Sequence, residues 1–197
     1  QALGSNGSSD SNALAYGGED AGSATDTETE SWNGTNWTEV NNLNTTRKQL
    51  SGLGTNNTAA LALGGRTTPG PRIANVELWN GTNWTETTDV NTARDNLGGS
   101  GTSTAALAFG GTPPPKANTE LWNGSNWTEV NDLNTARYSG ASASQNSTST
   151  FYAGGATPTF ASNEIWNGTN WTEDGDLNSA RANLAGAGTA TAGIAFG

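Results

Sequence analysis

The stretch WNGTNWTE runs from Trp79 to Glu86, and close copies stand at 32–39, 122–129 and 166–173. Its centre, Asn80-Gly81, is the preferred pair for a two-residue hairpin turn, because both central residues of that turn need positive φ. The flanks alternate apolar and polar residues, as strands do. The motif therefore reads as a hairpin made four times, and its register can be argued from charge. A four-residue loop sets Trp79 opposite Trp84 but also Glu77 opposite Glu86, a pairing repeated as Glu30/Glu39, Glu120/Glu129 and Glu164/Glu173. Like charges directly opposed across strands are unfavourable. The expectation is the two-residue turn, with Glu77 near Trp84; the other register makes each glutamate pair a candidate cation site.

Working outward, the first Trp of each copy falls at 32, 79, 122 and 166, and an Arg follows 15 residues later at 47, 94, 137 and 181. A Gly pair recurs at 17/18, 64/65, 110/111 and 154/155, and GIAFG, ending at Gly197, begins a fifth copy. Turn signals divide each unit into four short strands. In the second unit these are a (Leu50 to Gly54), b (Ala59 to Gly64), c (Ala74 to Trp79) and d (Asn83 to Thr87). The units span 1–49, 50–95, 96–138 and 139–182, with a half unit at 183–197. From the first Gly of the pair to the Trp the distance is 15, 15, 12 and 12 residues, so the b–c connection varies. It holds TTPGPR at 67–72 and TPPPK at 112–116, and variable length with Pro marks a surface loop.

Four short antiparallel strands per unit of ~40 to 50 residues is the signature of a propeller blade. The expected fold is all-β, a β-propeller of four full units and a half unit. The alternative is a β-solenoid, whose coils are usually shorter and have no need of a hairpin in every turn. An unpaired half unit invites association with further chain, a neighbouring molecule or a larger ring.

Composition agrees with small repeated units: hydrophobic residues make up 32 % of the chain, charged residues 13 %, and glycine 27 of 197 positions. The net charge of −10 repels a phosphate backbone or an anionic membrane surface, so nucleic acid is an unsuitable partner. No apolar run approaches the ~20 residues of a membrane helix, so membrane insertion is not expected. The sequence contains no Cys and no His, which removes disulfides, thiolate sites, and the commonest metal ligand and general base. No catalytic residues, metal site or cofactor are expected, and the chain reads as a non-enzyme. It contains no Met, which suggests a processed product or a segment of something longer. Low charge with abundant Thr, Asn and Gly suits an extracellular or virion-surface protein.

The order of Arg, alternating strand, apolar strand closed by Gly-Gly, variable loop and then two aromatics resembles kelch repeats over essentially the whole chain. The matching positions are Gly64, Gly65, Trp79 and Trp84, with their equivalents. The chain departs from that pattern by using Trp where the family usually has Tyr and by a shorter turn between the aromatics. Some kelch-type propellers are copper oxidases using Tyr, Cys and His; without Cys and His that activity does not transfer. The phrasing WTEVNDLNTAR at 127–137 also resembles repeat proteins of phage and bacterial surfaces.

Candidate chemistry is sparse. Asn33, Asn36, Asn80, Asn83, Asn123, Asn126, Asn167 and Asn170 each begin an Asn-x-Ser/Thr sequon, so they are glycosylation acceptors if the source modifies them. Both Asn of one motif carrying sugar together is sterically unfavourable. Trp32, Trp37, Trp79, Trp84, Trp122, Trp127, Trp166 and Trp171 suit stacking on sugar rings, but their regular repetition favours packing between blades. Arg47, Arg94, Arg137 and Arg181 are read as structural, satisfying carbonyls and a carboxylate at the start of the innermost strand. DGDLN at 174–178 has alternating oxygen-bearing side chains but lacks the later Glu of a calcium loop.

Recognition is expected in the non-repeating loops, at Arg66, Arg72, Lys116 and Phe160. The expected function is a binding or display module whose partner is a protein or glycan on a surface. The competing expectations are a structural subunit that self-associates through its half-blade, and a carbohydrate-binding propeller using exposed Trp.

Overall fold

A computed structural model of the chain describes residues 3–9, 11–20, 22–143 and 145–197. Among the described residues there is no helix; the ordered elements are eighteen strands in four 4-stranded antiparallel sheets and one 2-stranded sheet. Blade 1 comprises β1 (Gly4–Ser9), β2 (Asn12–Tyr16), β3 (Thr29–Trp32) and β4 (Trp37–Glu39). Blade 2 has β5 (Ser51–Asn56), β6 (Ala59–Leu63), β7 (Val76–Trp79) and β8 (Trp84–Thr87). Blade 3 has β9 (Gly98–Gly101), β10 (Ala106–Phe109), β11 (Thr119–Trp122) and β12 (Trp127–Val130). Blade 4 has β13 (Ala141–Ala143), β14 (Thr150–Ala153), β15 (Asn163–Trp166) and β16 (Trp171–Asp174), and β17 (Ala185–Thr189) with β18 (Ala192–Phe196) forms a half-blade. Strand order within each sheet follows the chain, which is the meander of a propeller blade.

The second strands of blades 2 to 4, such as AALAL of β6, are buried on both faces because a neighbouring blade lies on each side, whereas β2 of blade 1 fully buries only Leu14 and Tyr16. One face of blade n meets the next blade. Leu14 and Tyr16 pack with Ala60, Ala62, Trp79 and Trp84; Leu61 and Leu63 pack with Ala106, Ala108, Trp122 and Trp127. Leu107 and Phe109 meet Tyr152, Trp166 and Trp171, and Phe151 with Ala153 meets Ala195. Ring contacts fasten two of these junctions, Tyr16–Trp84 at 4.7 Å and Phe109–Trp171 at 4.8 Å between centroids. The indoles also find polar partners there: Trp84 Nε1 donates to Thr29 Oγ1, and Trp171 Nε1 to Thr119 Oγ1.

Innermost strands converge on the axis and are therefore built from small residues. A Cβ at Gly52 would stand 2.4 Å from Ser5 N of the neighbouring blade. Together the innermost strands β1, β5, β9, β13 and β17 line a cleft of about 840 Å³. Blades are also stitched near the start of these strands by main-chain bonds from Asn96 N to Gln49 O, Ser139 N to Asn96 O and Asn183 N to Ser139 O. All four residues have positive φ, between 53° and 60°, without being glycine. Each left-handed residue costs roughly 1–2 kcal/mol, so the stitching has to offset that strain.

The hairpin register differs from the expectation. Trp79 pairs with Trp84, and Glu77 lies opposite Glu86; the same holds for Glu30/Glu39, Glu120/Glu129 and Glu164/Glu173. The loop is four residues because the Asn80 side chain builds it: Oδ1 accepts from Thr82 N and Asn83 N at 2.9 Å, and Asn80 N donates to Asn83 O at 3.2 Å. Only Gly81 takes positive φ, at 93°, so the turn is not the primed two-residue type. The charge clash is avoided because Glu77 is buried against an arginine while Glu86 is exposed and accepts from Asn75 Nδ2.

Candidate functional site

The arginines at 47, 94 and 137 are fully buried, which is rare for this residue and demands partners. Each reaches into the blade whose innermost strand it precedes. Arg47 Nη1 donates to Gly64 O at 3.3 Å and Asn75 O at 2.8 Å, and Nη2 donates to Glu77 Oε1. Arg94 repeats the pattern on Gly110 O, Asn118 O and Glu120 Oε1, the last at 2.7 Å. Arg137 donates to Ser162 O and Tyr152 O, lies 3.1 Å from Glu164 Oε1, and sits 5.0 Å from the centre of the Tyr152 ring.

Each glutamate is held from its other oxygen as well. Asn44 N, Asn91 N and Asn134 N donate to Glu77, Glu120 and Glu164 Oε2, all at 2.7 Å. Burial holds the Arg94 guanidinium below its usual range, opposed by the Glu120 charge. Burial likewise pushes the Glu120 carboxyl up, opposed by Arg94 and by the Asn91 amide. At the third station burial pushes the Tyr152 phenol up to about 12.

The arginine main chain fastens to the preceding blade at the same time. Gly18 N, Gly65 N, Gly111 N and Gly155 N donate to the carbonyls of Arg47, Arg94, Arg137 and Arg181. The first glycine of each pair is required by that approach: a Cβ at Gly64, where φ is 56°, would lie 2.6 Å from Arg94 O. One arginine thus bonds two adjacent blades. At three of the four glutamate pairs a guanidinium takes the inner glutamate, Glu77, Glu120 or Glu164.

Arg181 differs. It is exposed, and no ion pair forms at it among the described residues. Glu30 of blade 1, the counterpart of Glu77, is exposed as well.

Of the loop candidates, Arg72 Nε donates to the buried Asp95 Oδ2 at 3.0 Å and Arg66 Nε lies 3.8 Å from the same atom, so both cations are tied to the start of blade 3. Lys116 and Phe160 hold equivalent places: their amides donate to Gly111 O and Gly155 O, and their carbonyls accept from Arg137 N and Arg181 N. The b–c loops leave from the Gly-pair rim. The Trp turns stand on the opposite rim, where Trp79 Nε1 donates to Asn57 O. The eight sequon Asn are exposed there. Asn80 Oδ1 is occupied by the turn, and Asn83 Oδ1 accepts from Asn41 Nδ2 at 2.8 Å. Of the eight Trp, only Trp37 is exposed; the others are buried or half-buried at blade junctions and turns.

Asp95 and the left-handed residues at 49, 96, 139 and 183 escaped sequence reasoning. Their position two residues after each Arg was the available signal for the latter, but Gln, Asn, Ser and Asn share no obvious chemistry. Compared with known proteins, the chain matches no protein family and no curated protein.

The clamp geometry generates a contrast. Glu120→Gln leaves a buried guanidinium without its counter-charge and is expected to cost about 3 kcal/mol in urea unfolding. Arg181→Ala is expected to stay within about 0.5 kcal/mol of the parent. Equal costs at the two stations would show that the clamp is not what distinguishes them.

Proposed function

We propose that the chain is a non-enzymatic binding or display module of kelch-like type, working outside the cell or on a virion and resembling phage or bacterial surface repeats. One observation carries this reading: the loops that vary in length and sequence share one rim, and each is pinned at its base by the same main-chain bonds. Ile73 N, Lys116 N and Phe160 N donate to Gly65 O, Gly111 O and Gly155 O. A base that does not change beneath loops that do is the arrangement of a recognition surface on a rigid scaffold.

Loops at 112–116 and 156–160 replaced by Gly-Ser segments of equal length serve as the test. Parent and variant are compared on a panel of immobilised bacterial surface polysaccharides and a glycan array. The expected result is retention of the parent, at least tenfold weaker retention of the variant, and a Tm within about 4 °C of the parent. No retention of the parent, or retention that survives loop replacement, contradicts the reading.

A second reading, a structural subunit that assembles through its half-blade, is favoured by two exposed faces. Ile194 (64 % exposed) and Phe196 (51 %) hold the places of Leu61 and Leu63, which in blade 2 meet the next blade. Trp37 (48 % exposed) holds the place of Trp84, which meets the preceding blade. They are the two halves of one further blade junction, and a heterologous contact of this kind makes rings or filaments. Sedimentation should show association of the parent, loss of it in both Trp37→Asp and Phe196→Asp, and dimers when those two variants are mixed. A monomeric parent, or variants that associate like the parent, sinks this reading.

A further inference from the structure

Four of the chain's eight Lys and Arg lie outside the repeated positions 47, 94, 137 and 181, and three of those four, Lys48, Arg66 and Arg72, form one row on the Gly-pair rim. Lys48 is bridged antiparallel to Arg66, and Arg66 to Arg72, so like charges lie opposite one another twice. Such opposition is unfavourable. The equivalent bridges in blades 3 and 4 join Asp95 to Thr112 and Tyr138 to Ala156, with no cation in either. Propeller geometry therefore does not require the row.

Two carboxylates hold the row in place. Glu19 accepts from Lys48 Nζ, and the buried Asp95 Oδ2 accepts from Arg72 Nε at 3.0 Å. The other Asp95 oxygen is taken by Asn96 Nδ2 at 3.2 Å. Arg66 Nε lies 3.8 Å from Asp95 Oδ2, too far for a hydrogen bond, and it is buried without another partner. Among the described residues no hydrogen bond reaches the Nη groups of Arg66 or Arg72, whose side chains are 34 % and 38 % exposed. Three cations against two carboxylates leave a positive spot here, in a chain of net charge −10.

We propose that the Nη groups of Arg66 and Arg72 form a binding site for the carboxylate of an acidic sugar. Two guanidiniums on neighbouring rungs, each with its Nη edge unbonded, offer forked donors to the two oxygens of a planar carboxylate. Asp95 already holds Arg72 by Nε, so part of the ordering cost is met before the ligand arrives. The net charge of −10 repels a polyanion with closely spaced charges and suits an isolated carboxylate. The surroundings favour a sugar over an acidic peptide, because protein contacts anchor on large apolar side chains. The exposed ones, Leu3, Trp37, Ile194 and Phe196, lie outside this loop, which carries the hydroxyls of Thr67 and Thr68 instead. This deepens the recognition reading above, on which it rests for the choice of rim, by naming the chemical group that one loop takes.

The probe is an octasaccharide alternating glucuronate with N-acetylglucosamine, titrated into the full chain by calorimetry beside the same sugar with its carboxylates reduced to alcohols. The expected result is saturable binding of the acid form, about tenfold weaker binding of the reduced form, and affinity that falls as salt rises. Arg66→Gln and Arg72→Lys should each weaken the acid form about tenfold, since lysine keeps a charge on Asp95 but loses the fork. Neither should move Tm by more than about 4 °C. No binding at about 1 mM sugar overturns the proposal; so does equal binding of the reduced sugar, or indifference to both substitutions. A glutamate-rich peptide that binds through the same arginines more tightly than the sugar overturns the choice of ligand. Polysaccharide retention that depends on loops 112–116 and 156–160 but not on Arg66 or Arg72 leaves the wider reading standing and removes this site. Sugar-acid binding through these two arginines in a chain whose retention ignores those loops does the reverse.

Discussion

A buried arginine that bonds two blades at once is the constraint on which the rest of this propeller depends. Its carbonyl is taken by the second glycine of the preceding blade, and its guanidinium enters the following blade to meet a glycine carbonyl, a loop carbonyl and a glutamate. The Gly pair answers the arginine's main-chain carbonyl, and the glutamate of the third strand answers its guanidinium. The constant 15-residue span from Trp to Arg follows as well, since the linker between them must cross from one blade to the next and place the Asn91 type of amide on the carboxylate.

The clamp is not a simple source of stability. Burial opposes charge on both partners, as the raised Glu120 carboxyl and the lowered Arg94 guanidinium indicate. A buried ion pair often contributes little net free energy against an apolar replacement, although removing one partner is strongly destabilising. Stability comes instead from the junctions, where Leu, Phe and Trp side chains fill the wedge between sheets. The clamp supplies registry: it admits one alignment of each third strand, and a slip leaves a charge buried without its partner.

Sequence spacing made the blades legible because one unit cannot bury its apolar strand alone, so repetition itself implies stacked sheets. Strand order, the Gly pair and the packing of Trp79 and Trp84 could be read for that reason. The hairpin register could not. A rule about opposed like charges assumes that both glutamates share one environment, whereas Glu77 is buried on Arg47 and Glu86 faces water. Asn-Gly suggested a two-residue turn, but the Asn80 carboxamide closes a four-residue loop instead. The loop cations were legible as exceptions to the repeat, yet nothing in sequence linked Arg66 and Arg72 to Asp95, because that contact spans a blade boundary.

The central claim is that three stations carry a closed arginine–glutamate clamp and the fourth an open one. Native-state amide hydrogen exchange reads it directly at Asn44, Asn91, Asn134 and Asn178. The three amides bonded to buried carboxylates should exchange only with large-scale opening, at least ~100-fold slower than the Asn178 amide. Equal exchange at all four positions would contradict the account.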